Sequence, residues 1–433
     1  MVLRDLVVKN CIQRRGGEGT AKGVRLSANR TFLLLTGTPW RAYRRTMLPE
    51  DPLTFLGETD WRNQHRPFGI RRSDRRYHMA VIGRTGMGKS TLMKTMAFSD
   101  IAKGEGLALL DPHGDLAEEV VQVARQNRPQ DTVYFNPAEP DGTLGFNILE
   151  AAGVKPHLVA SGVISVMKKF WEDFWGPKME HILRHALLSL VGIPNATLAD
   201  VSRILLDKDF RRWVIGRITD AKIREFWLQE YERYTAWGRM DAASPILNKI
   251  GQFIANPDIR RLICQPKSSF DLRAIMDAGR IFVANLSRGK LGEDASALLG
   301  ALLVTKFELA ALARADVPPE ARREFFLYVD EFPTLATPSF AGIMAESRKY
   351  SLAITVGMQY VDQIERTLRD AVFENVGSIA VFRGGPGTAS ILAPQLEDIS
   401  EEDVMNLPKY SFYMRLMYEG QPQAPFSART IQS

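Results

Sequence analysis

The stretch HMAVIGRTGMGKST, residues 78–91, decides the fold class. It begins with a short apolar run at 78–83, continues through glycine-rich text, and leads into a helical pattern from Lys89 to about Lys103. This succession is typical of strand, loop and helix. The phosphate-loop pattern G-x-x-x-x-G-K-[ST] is satisfied by Gly83, Gly88, Lys89 and Ser90. A phosphate-binding loop is therefore predicted, against the alternative of an unrelated glycine loop.

The predicted loop has a defined chemistry. Its glycines let backbone N–H groups turn inward onto phosphates, and the helix N-terminus adds the positive end of a dipole. Lys89 is expected to neutralise the β and γ oxygens of ATP, and Ser90 to offer its hydroxyl to Mg²⁺. The residues predicted to bind the nucleotide are Gly83, Arg84, Thr85, Gly86, Met87, Gly88, Lys89, Ser90 and Thr91.

Strands and helices alternate around the loop. Short, nearly continuous apolar runs stand at 106–111, 132–136, 280–286, 325–331, 352–357 and 378–384, with helical text between most of them. Such runs are typical of parallel strands that are joined by crossover helices. We expect an α/β fold of the P-loop NTPase (RecA-like) type, with a mostly parallel sheet, helices on both faces and an inserted all-α domain.

Four segments follow from this pattern. The predicted boundaries are a basic N-terminal arm at 1–76, a motor domain at 77–150 and 271–420, an all-α insertion at 151–270, and a C-terminal tail at 421–433. The insertion is predicted because no strand-like run interrupts its helical text. Five tryptophans are expected to anchor its core, namely Trp171, Trp175, Trp213, Trp227 and Trp237.

The run FFLYVDE at 325–331 supplies a pair of carboxylates after a strand. Asp330 is expected to orient the water shell of Mg²⁺, and Glu331 to polarise the attacking water. A simple surface pair is the alternative. Lys89 and Asp330 lie far apart in the chain, and the helical insertion accounts for about half of the separation.

At this point the chain resembles the additional-strand P-loop motors of the FtsK and HerA superfamily, most closely the conjugative type IV secretion coupling proteins of the TraD/TraG type. The resemblance covers about 66–415 and is carried by GRTGMGKST, LALLDPHGDL, LYVDEF, ESRKY and the glutamine of VGMQY. It implies a hexameric ring around DNA, with ATP at subunit interfaces and the 151–270 insertion as the family's all-α domain. It also implies that Arg348 is an arginine finger and that Gln359 senses the γ-phosphate.

Several residues keep two interpretations. Arg348 could be an ordinary helix-surface arginine, and the adjacent Lys349 could compete for the finger role. Asp111, in LLDPHGD, either assists the metal or caps the helix that follows. His181 and His185 have a spacing that can bind metal, but no third ligand is apparent, so we interpret them as ordinary imidazoles.

Basic residues suggest two places for DNA. Arg288 and Lys290 stand in NLSRGKLGED, just past a strand end, where they could contact phosphates without reading sequence, although a solvated loop is the alternative. Residues 1–79 hold 16 Lys and Arg against seven Asp and Glu, whereas the remainder holds 40 against 43. This arm could attract nucleic acid or anionic lipid, or it could be a solvated segment.

The composition restricts the class of protein and the cellular compartment. Charged residues form 24% of the chain and hydrophobic residues 45%, as in ordinary globular proteins. The two cysteines, Cys11 and Cys264, cannot form a disulfide framework, which favours the cytoplasm. No apolar run reaches the roughly 18 residues of a membrane span, and no signal peptide is evident. We expect no direct membrane insertion, although coupling proteins usually begin with transmembrane helices; a partner protein could hold the chain at the inner membrane.

The expected function is that of a Mg²⁺-dependent ATPase that moves DNA as a homo-hexamer in conjugation or mobile-element transfer. Relaxosome or secretion-channel proteins are the expected partners. The alternatives are a viral packaging motor, a HerA-like repair motor, or an ATP-switched recruitment scaffold that hydrolyses slowly.

Overall fold

The computed structural model describes residues 52–60, 65–139, 144–151, 153–337, 339–362 and 364–431. Most of the predicted basic arm lies outside these residues. The strands, in chain order, are β1 (Leu53–Thr59), β2 (Pro67–Arg71), β3 (Met79–Ile82), β4 (Gly106–Asp111), β5 (Thr132–Phe135), β6 (Ile281–Asn285), β7 (Phe325–Val329), β8 (Leu352–Met358), β9 (Ser378–Val381), β10 (Ser411–Arg415), β11 (Met417–Tyr418), β12 (Gln421–Pro422) and β13 (Phe426–Arg429).

Helices connect most of these strands. They are α1 (Lys89–Lys103), α2 (Asp115–Asn127), α3 (Pro156–Phe170), α4 (Pro177–Val191), α5 (Ala199–Leu206), α6 (Lys208–Ile215), α7 (Ala221–Glu225), α8 (Ala236–Ala255), α9 (Pro257–Ile263), α10 (Leu272–Ala278), α11 (Arg288–Leu291), α12 (Glu293–Ala313), α13 (Phe332–Leu335), α14 (Phe340–Glu346), α15 (Arg366–Asn375), α16 (Pro386–Leu392) and α17 (Glu401–Met405). The chain forms two compact units. The described residues of the first are those up to 104, 355–364 and 375–431; the second comprises those in 105–354 and 365–374.

In the first unit the strands lie in the order β2-β1-β13-β10-β9-β3-β8. β3 is parallel to both β8 and β9, and the other pairs in this order are antiparallel. The predicted arm at 1–76 includes β1 and β2, and the predicted tail at 421–433 includes β13, which lies between β1 and β10 in the sheet. These strands are only partly buried, so they lack the continuous apolar run that marks the central strands.

A buried ion pair joins the turn before β3 to the helix that follows the glycine-rich loop, and a hydroxyl of β1 binds both partners. Arg75 Nη1 lies 2.6 Å from Asp100 Oδ1, and their side chains are 3% and 0% exposed. The Thr54 hydroxyl donates to the same Asp100 oxygen at 3.0 Å and accepts from Arg75 at 3.0 Å. The three side chains therefore connect β1, the turn before β3, and α1.

The second unit contains the parallel strands β7-β4-β6-β5. All residues of β4, β6 and β7 are buried, which explains why these strands read as continuous apolar runs. The seven strands predicted from apolar runs, β3 to β9, are confirmed. So is a mostly parallel α/β arrangement among them.

Between β5 and β6 the described residues form helices, turns and loops and contain no strand, as predicted for the insertion. Helix α3 approaches α12 closely at Gly162, where an added Cβ would lie 2.6 Å from Thr305 Cγ2. A larger residue there would push the two helices apart. The four-segment division itself remains a prediction.

The tryptophans of the insertion do not all anchor its core. Trp227 is fully buried, but Trp237 is 87% exposed and Trp213 is 43% exposed, so the prediction is wrong for these two. The ring of Trp213 stacks on Phe210, and the Arg217 guanidinium lies 3.9 Å from its centroid. Neighbouring surface side chains thus cover part of this ring, an arrangement that residue spacing cannot distinguish from burial in a core.

Within the described residues, one stretch, Glu293–Asp316, is long and apolar enough to cross a membrane by length and composition. However, 83% of its apolar window is buried inside the protein. Packing within the fold therefore accounts for the composition of this helix.

Candidate active site

The glycine-rich loop follows β3 and leads into α1, as predicted. Gly83 N–H donates to Met358 O at 3.1 Å, and Arg84 N–H donates to Arg383 O at 3.0 Å. A Cβ on Gly83 would lie 2.4 Å from Phe382 Cβ, so only glycine fits against this side chain. The loop then turns through Gly86 and Gly88, whose φ angles of +75° and +119° few other residues adopt.

Two polar side chains begin the helix after this loop. Lys89 is its first residue and is 6% exposed, whereas Ser90 is exposed. Gly88 occupies the N-cap position and brings no side-chain cap. The N–H of Tyr410, the residue before β10, donates to Met87 O at 2.8 Å and fixes the loop. The loop therefore joins backbone donors, a helix N-terminus and a lysine in one segment, which suits an anion.

Gln359 follows β8 directly and is half-buried in the same unit. Its Nε2 donates to the Tyr360 hydroxyl at 3.2 Å. The side chain thus stands at the carboxyl end of a strand that pairs in parallel with β3.

The predicted carboxylates follow β7 in the second unit. Asp330 is 2% exposed, and its N–H donates to Leu110 O at 3.0 Å. Its Oδ1 accepts from the Glu331 N–H at 2.9 Å. Glu331 has a φ of +48°, which is uncommon for a residue with a Cβ and marks a locally constrained backbone.

Asp111, at the end of β4, makes the contacts of a capping residue. It is fully buried, and its two oxygens accept from the N–H groups of His113 at 2.8 Å and Ala117 at 2.9 Å. Burial raises the pKa of Asp111, and the negative charge of Asp330 raises it further. Both interpretations are thus compatible with its position, since the residue supports α2 and also feels the second carboxylate.

His113 contacts the other member of the carboxylate pair. Its Nε2 lies 3.6 Å from Glu331 Oε1. This interaction raises the pKa of His113 and outweighs the opposing effect of burial. The sequence alone assigned no role to this imidazole.

Arg348 lies in the 3₁₀ turn Ser347–Tyr350, with an exposed side chain. Two other arginines hold this turn by its carbonyl groups. The fully buried Arg314 donates from Nη1 to Tyr350 O at 3.0 Å, and Arg322 donates to Lys349 O. The exposed guanidinium of Arg348 is therefore carried by a turn that is fixed from behind.

The two residues predicted to contact DNA differ in their surroundings. Arg288 is half-buried, and its Nη2 donates to Thr334 Oγ1 at 2.7 Å. Lys290 is exposed and lies 3.5 Å from Glu118 Oε1. Only Lys290 thus presents its charge mainly to solvent.

The predicted site residues divide between the units. The glycine-rich loop and Gln359 belong to the first unit, and Asp330, Glu331, Arg348, Arg288 and Lys290 belong to the second. Within the second unit the ends of β4 and β6 are joined, because Leu286 N–H donates to Asp111 O and Arg288 N–H donates to Pro112 O, both at 2.9 Å. The end of β7 joins the end of β4 through the Asp330 N–H, which donates to Leu110 O at 3.0 Å.

Some supporting residues were missed. Arg314 and Arg322 lie in a polar segment whose sequence is typical of a connecting loop, and Lys169 lies in a segment with an ordinary helical pattern. Each of these side chains donates to a main-chain carbonyl group. Because every residue has such a carbonyl, no pattern of residue types in the sequence indicates the partner. Only the density of arginines at 314–323 gives a weak signal.

The His181 and His185 pair makes ordinary contacts. His185 Nδ1 lies 2.8 Å from His181 O, and its ring stacks on Phe226 with centroids 4.0 Å apart. Burial lowers the pKa of His185. Among the residues that the structure describes, no group of three or more His, Cys, Asp or Glu is arranged to hold a metal ion.

Comparison with known proteins identifies relatives. The profile of the type IV secretion-system coupling protein DNA-binding domain matches residues 67–380. No curated protein sequence matches the chain. Among solved structures, the unbound bacterial conjugative coupling protein TrwBdeltaN70 has a TM-score of 0.60 at 16% identity, covering 84% of this chain and 86% of that one.

Two further structures are similar. The plasmid coupling protein TrwB in complex with ADP and Mg²⁺ has a TM-score of 0.60 at 16% identity, covering 84% of this chain and 87% of that one. VirB4 of Thermoanaerobacter pseudethanolicus has a TM-score of 0.59 at 14% identity, covering 88% and 96%. At these identities the likeness concerns the fold, and it confirms the expected P-loop NTPase class.

Proposed function

Because the chain belongs to the family of type IV secretion-system coupling proteins, matched through their DNA-binding domain, we propose that it is an ATP-driven motor that moves DNA in conjugative transfer. The observation that carries this proposal is the glycine-rich loop. It lies between a buried parallel strand and a helix, with the glycine angles and the buried lysine that phosphate binding requires. The loop, residues Gly83 to Thr91, would hold the triphosphate of ATP.

Two carboxylates of the second unit fit a magnesium ion. Asp330 and Asp111 are both buried, and the pKa of Asp111 is raised by its burial and by the charge of Asp330. Such an excess of negative charge is relieved by a divalent cation, which prefers carboxylate and hydroxyl oxygens. Asp330 would orient its water shell and Ser90 would supply a hydroxyl. The cation, when bound, would neutralise charge on the β- and γ-phosphates.

Glu331 is the proposed general base. Its carboxylate would accept a proton from a water aimed at the γ-phosphate. His113, whose Nε2 lies 3.6 Å away, would hold the carboxylate in one orientation. Gln359, at the end of β8, would contact the γ-phosphate oxygens.

Arg348 is proposed to act on the nucleotide of a neighbouring subunit. Its side chain is exposed on a turn that Arg314 and Arg322 fix from behind, so the guanidinium is accessible to another protomer. Such a head-to-tail contact repeats around a closed ring, and we propose a hexamer. A fixed guanidinium supplied in trans stabilises the charge of phosphoryl transfer.

DNA would pass along basic loops of this ring. Lys290 is the better candidate for phosphate contact because it is exposed, and Arg288 is the weaker candidate because Thr334 already binds it. The basic residues at 1–79 could add to the attraction. We place the motor in the cytoplasm, held at the inner membrane by secretion-channel or relaxosome proteins.

Hydrolysis measured with and without DNA tests the motor. We expect DNA to stimulate ATP hydrolysis and the stimulation to fade as salt rises. Lys89→Ala should abolish hydrolysis and weaken ATP binding, whereas Glu331→Gln should abolish hydrolysis but retain ATP. Unchanged turnover in either variant would reject its assigned role. Indifference to DNA would favour the ATP-switched scaffold.

Subunit mixing tests the finger. When Arg348→Ala protein is added to wild type in rising proportion, activity should fall more steeply than the fraction of wild-type subunits. Lys349→Ala, at the adjacent exposed cation, is the matched control and should leave activity near wild type. A linear fall with Arg348→Ala would reject action in trans, and the reverse pattern would assign the finger to Lys349.

A further inference from the structure

Thr334 lies three residues after Glu331 and is bound from three directions. Its N–H donates to Glu331 O at 3.0 Å. Lys169 Nζ, from helix α3 of the insertion, donates to Thr334 O at 2.5 Å. Arg288 Nη2, from the segment after β6, donates to Thr334 Oγ1 at 2.7 Å. One residue therefore connects the insertion and the β6 segment to the backbone of the proposed base.

The contact from the insertion is made by a charged donor, the Lys169 ammonium. Lys169 also lies 3.4 Å from Pro333 O, so its ammonium faces two successive carbonyls of α13. A cation at the last turn of a helix is favourable because the carbonyl ends carry partial negative charge. Burial lowers the pKa of Lys169 to about 8. A lysine that is desolvated in this way gains little from its position except through these carbonyl contacts.

The segment that receives these contacts is held against the core of the same unit. Leu335 packs on Gly300 of α12, where an added Cβ would lie 2.4 Å from Leu335 Cδ2. Further along, Ser165 of α3 donates to Ser339 Oγ at 3.2 Å, a second link between the insertion and this segment. Movement of α3 would therefore be transmitted to the residues directly after Glu331.

Arg288 makes a similar inward contact. Besides its bond to Thr334, its Nε is buried and has no hydrogen-bond partner. Arginine at a surface loop normally keeps its donors in water, because an unmatched buried donor costs roughly 1 to 3 kcal/mol. The buried position of Arg288 is therefore unfavourable for its Nε, and the side-chain bond that it makes there is the one to Thr334.

We infer that Lys169 and Arg288 are positioning residues for Glu331, and that the insertion and the β6 segment set the orientation of this carboxylate through Thr334. The inference rests on the proposed role of Glu331 in hydrolysis. It gives the helical insertion a part in catalysis besides any contact with partners, and it assigns Arg288 to Thr334 instead of DNA.

A matched pair of substitutions isolates the Arg288 contact. Thr334→Val keeps the shape of the side chain but removes the hydroxyl, and Thr334→Ser keeps the hydroxyl. Thr334→Val should lower kcat about tenfold, as expected from loss of a hydrogen bond to a charged group. KM for ATP should change less than twofold because the phosphate loop is unaltered. Thr334→Ser should stay within about twofold of wild type in kcat.

A double-mutant cycle decides whether Arg288 acts through Thr334. Arg288→Met alone should match Thr334→Val, and the double variant should be no slower than either single variant. Independent effects that multiply in the double variant would overturn the inference. So would a loss of DNA affinity in Arg288→Met that Thr334→Val does not share.

Hydrogen exchange supplies a readout that does not depend on hydrolysis. Lys169→Met should raise the exchange rate of the amides in 331–336 about tenfold, and Lys169→Arg should restore much of the protection because a charged donor remains. Unchanged exchange in Lys169→Met would overturn the inference even if the protein hydrolyses ATP. Conversely, raised exchange in Lys169→Met, together with a wild-type protein that shows no hydrolysis, would retain the coupling and reject the proposed function.

Discussion

The buried pair of Arg75 and Asp100 makes a strong prediction about stability in the unit that carries the phosphate loop. Asp100→Leu removes one partner and leaves the guanidinium, 3% exposed, without the carboxylate that lies 2.6 Å from it. Breaking such a pair typically costs about 3 to 5 kcal/mol. Arg75→Met leaves the carboxylate, which is 0% exposed, in the same position and should cost a similar amount.

The double variant should recover most of this loss. When both charges are replaced by apolar side chains of similar volume, the result is often neutral or stabilising. The remaining cost here is the Thr54 hydroxyl, which loses its bonds to both partners and contributes roughly 1 kcal/mol. The double variant should therefore lie within about 1 kcal/mol of wild type, far above the sum of the single losses.

Hydrogen exchange of the amides in α1 is the appropriate assay, because a chain with two units need not unfold in one step. A loss of about 3 to 5 kcal/mol corresponds to exchange that is roughly 10² to several 10³ times faster. Glu419→Gln is the control, since its pair with Arg71 has a similar distance of 2.8 Å but Glu419 is 62% exposed. The reasoning fails if the single variants exchange like the control or if the double variant is as unstable as their sum.

Two further predictions concern the second unit. Gly251→Ala, at an exposed position in helix α8 with nothing within 4 Å, should stabilise by up to about 1 kcal/mol, whereas Gly162→Ala meets Thr305 and should destabilise by about 1 to 3 kcal/mol. Thermal midpoints of opposite sign check this pair, and equal shifts would contradict it. Burial and the charge of Glu346 raise the pKa of Glu308 to about 7, so stability present below pH 4.5 is lost as pH rises through 7. Glu308→Gln should make the decline of stability with pH less steep. Parallel curves of unfolding free energy against pH for wild type and Glu308→Gln would exclude this contribution.

The central strands could be predicted because each is buried on both faces and reads as a continuous apolar run. The phosphate loop could be predicted because its chemistry requires fixed residues at fixed spacing. In contrast, β1 and β13 expose part of their side chains, so their sequences resemble irregular text. Their pairing is a property of the whole sheet, and no local signal records it.

The supporting contacts of the site lie beyond sequence reasoning for a different reason. Lys169 and Thr334 are 165 residues apart, and the acceptor is a backbone carbonyl, which every residue possesses. Arg314 likewise reaches Tyr350 O from 36 residues away. A motif can identify the group that reacts. It does not identify a side chain that supports the site by binding a main-chain carbonyl.

These contacts share one physical role, because the second unit holds positive φ angles beside both of its candidate catalytic groups. Glu331 has a φ of +48°, and Ser351, directly after the turn of Arg348, has a φ of +56°. Each such conformation costs roughly 1 to 3 kcal/mol and persists only where neighbours impose it. At Glu331 the neighbours are the Asp330 oxygen and the Thr334 N–H; beside Ser351, Arg314 holds the carbonyl of Tyr350. The orientation of both groups therefore depends on residues outside the reaction, and the segments that carry those residues can control it.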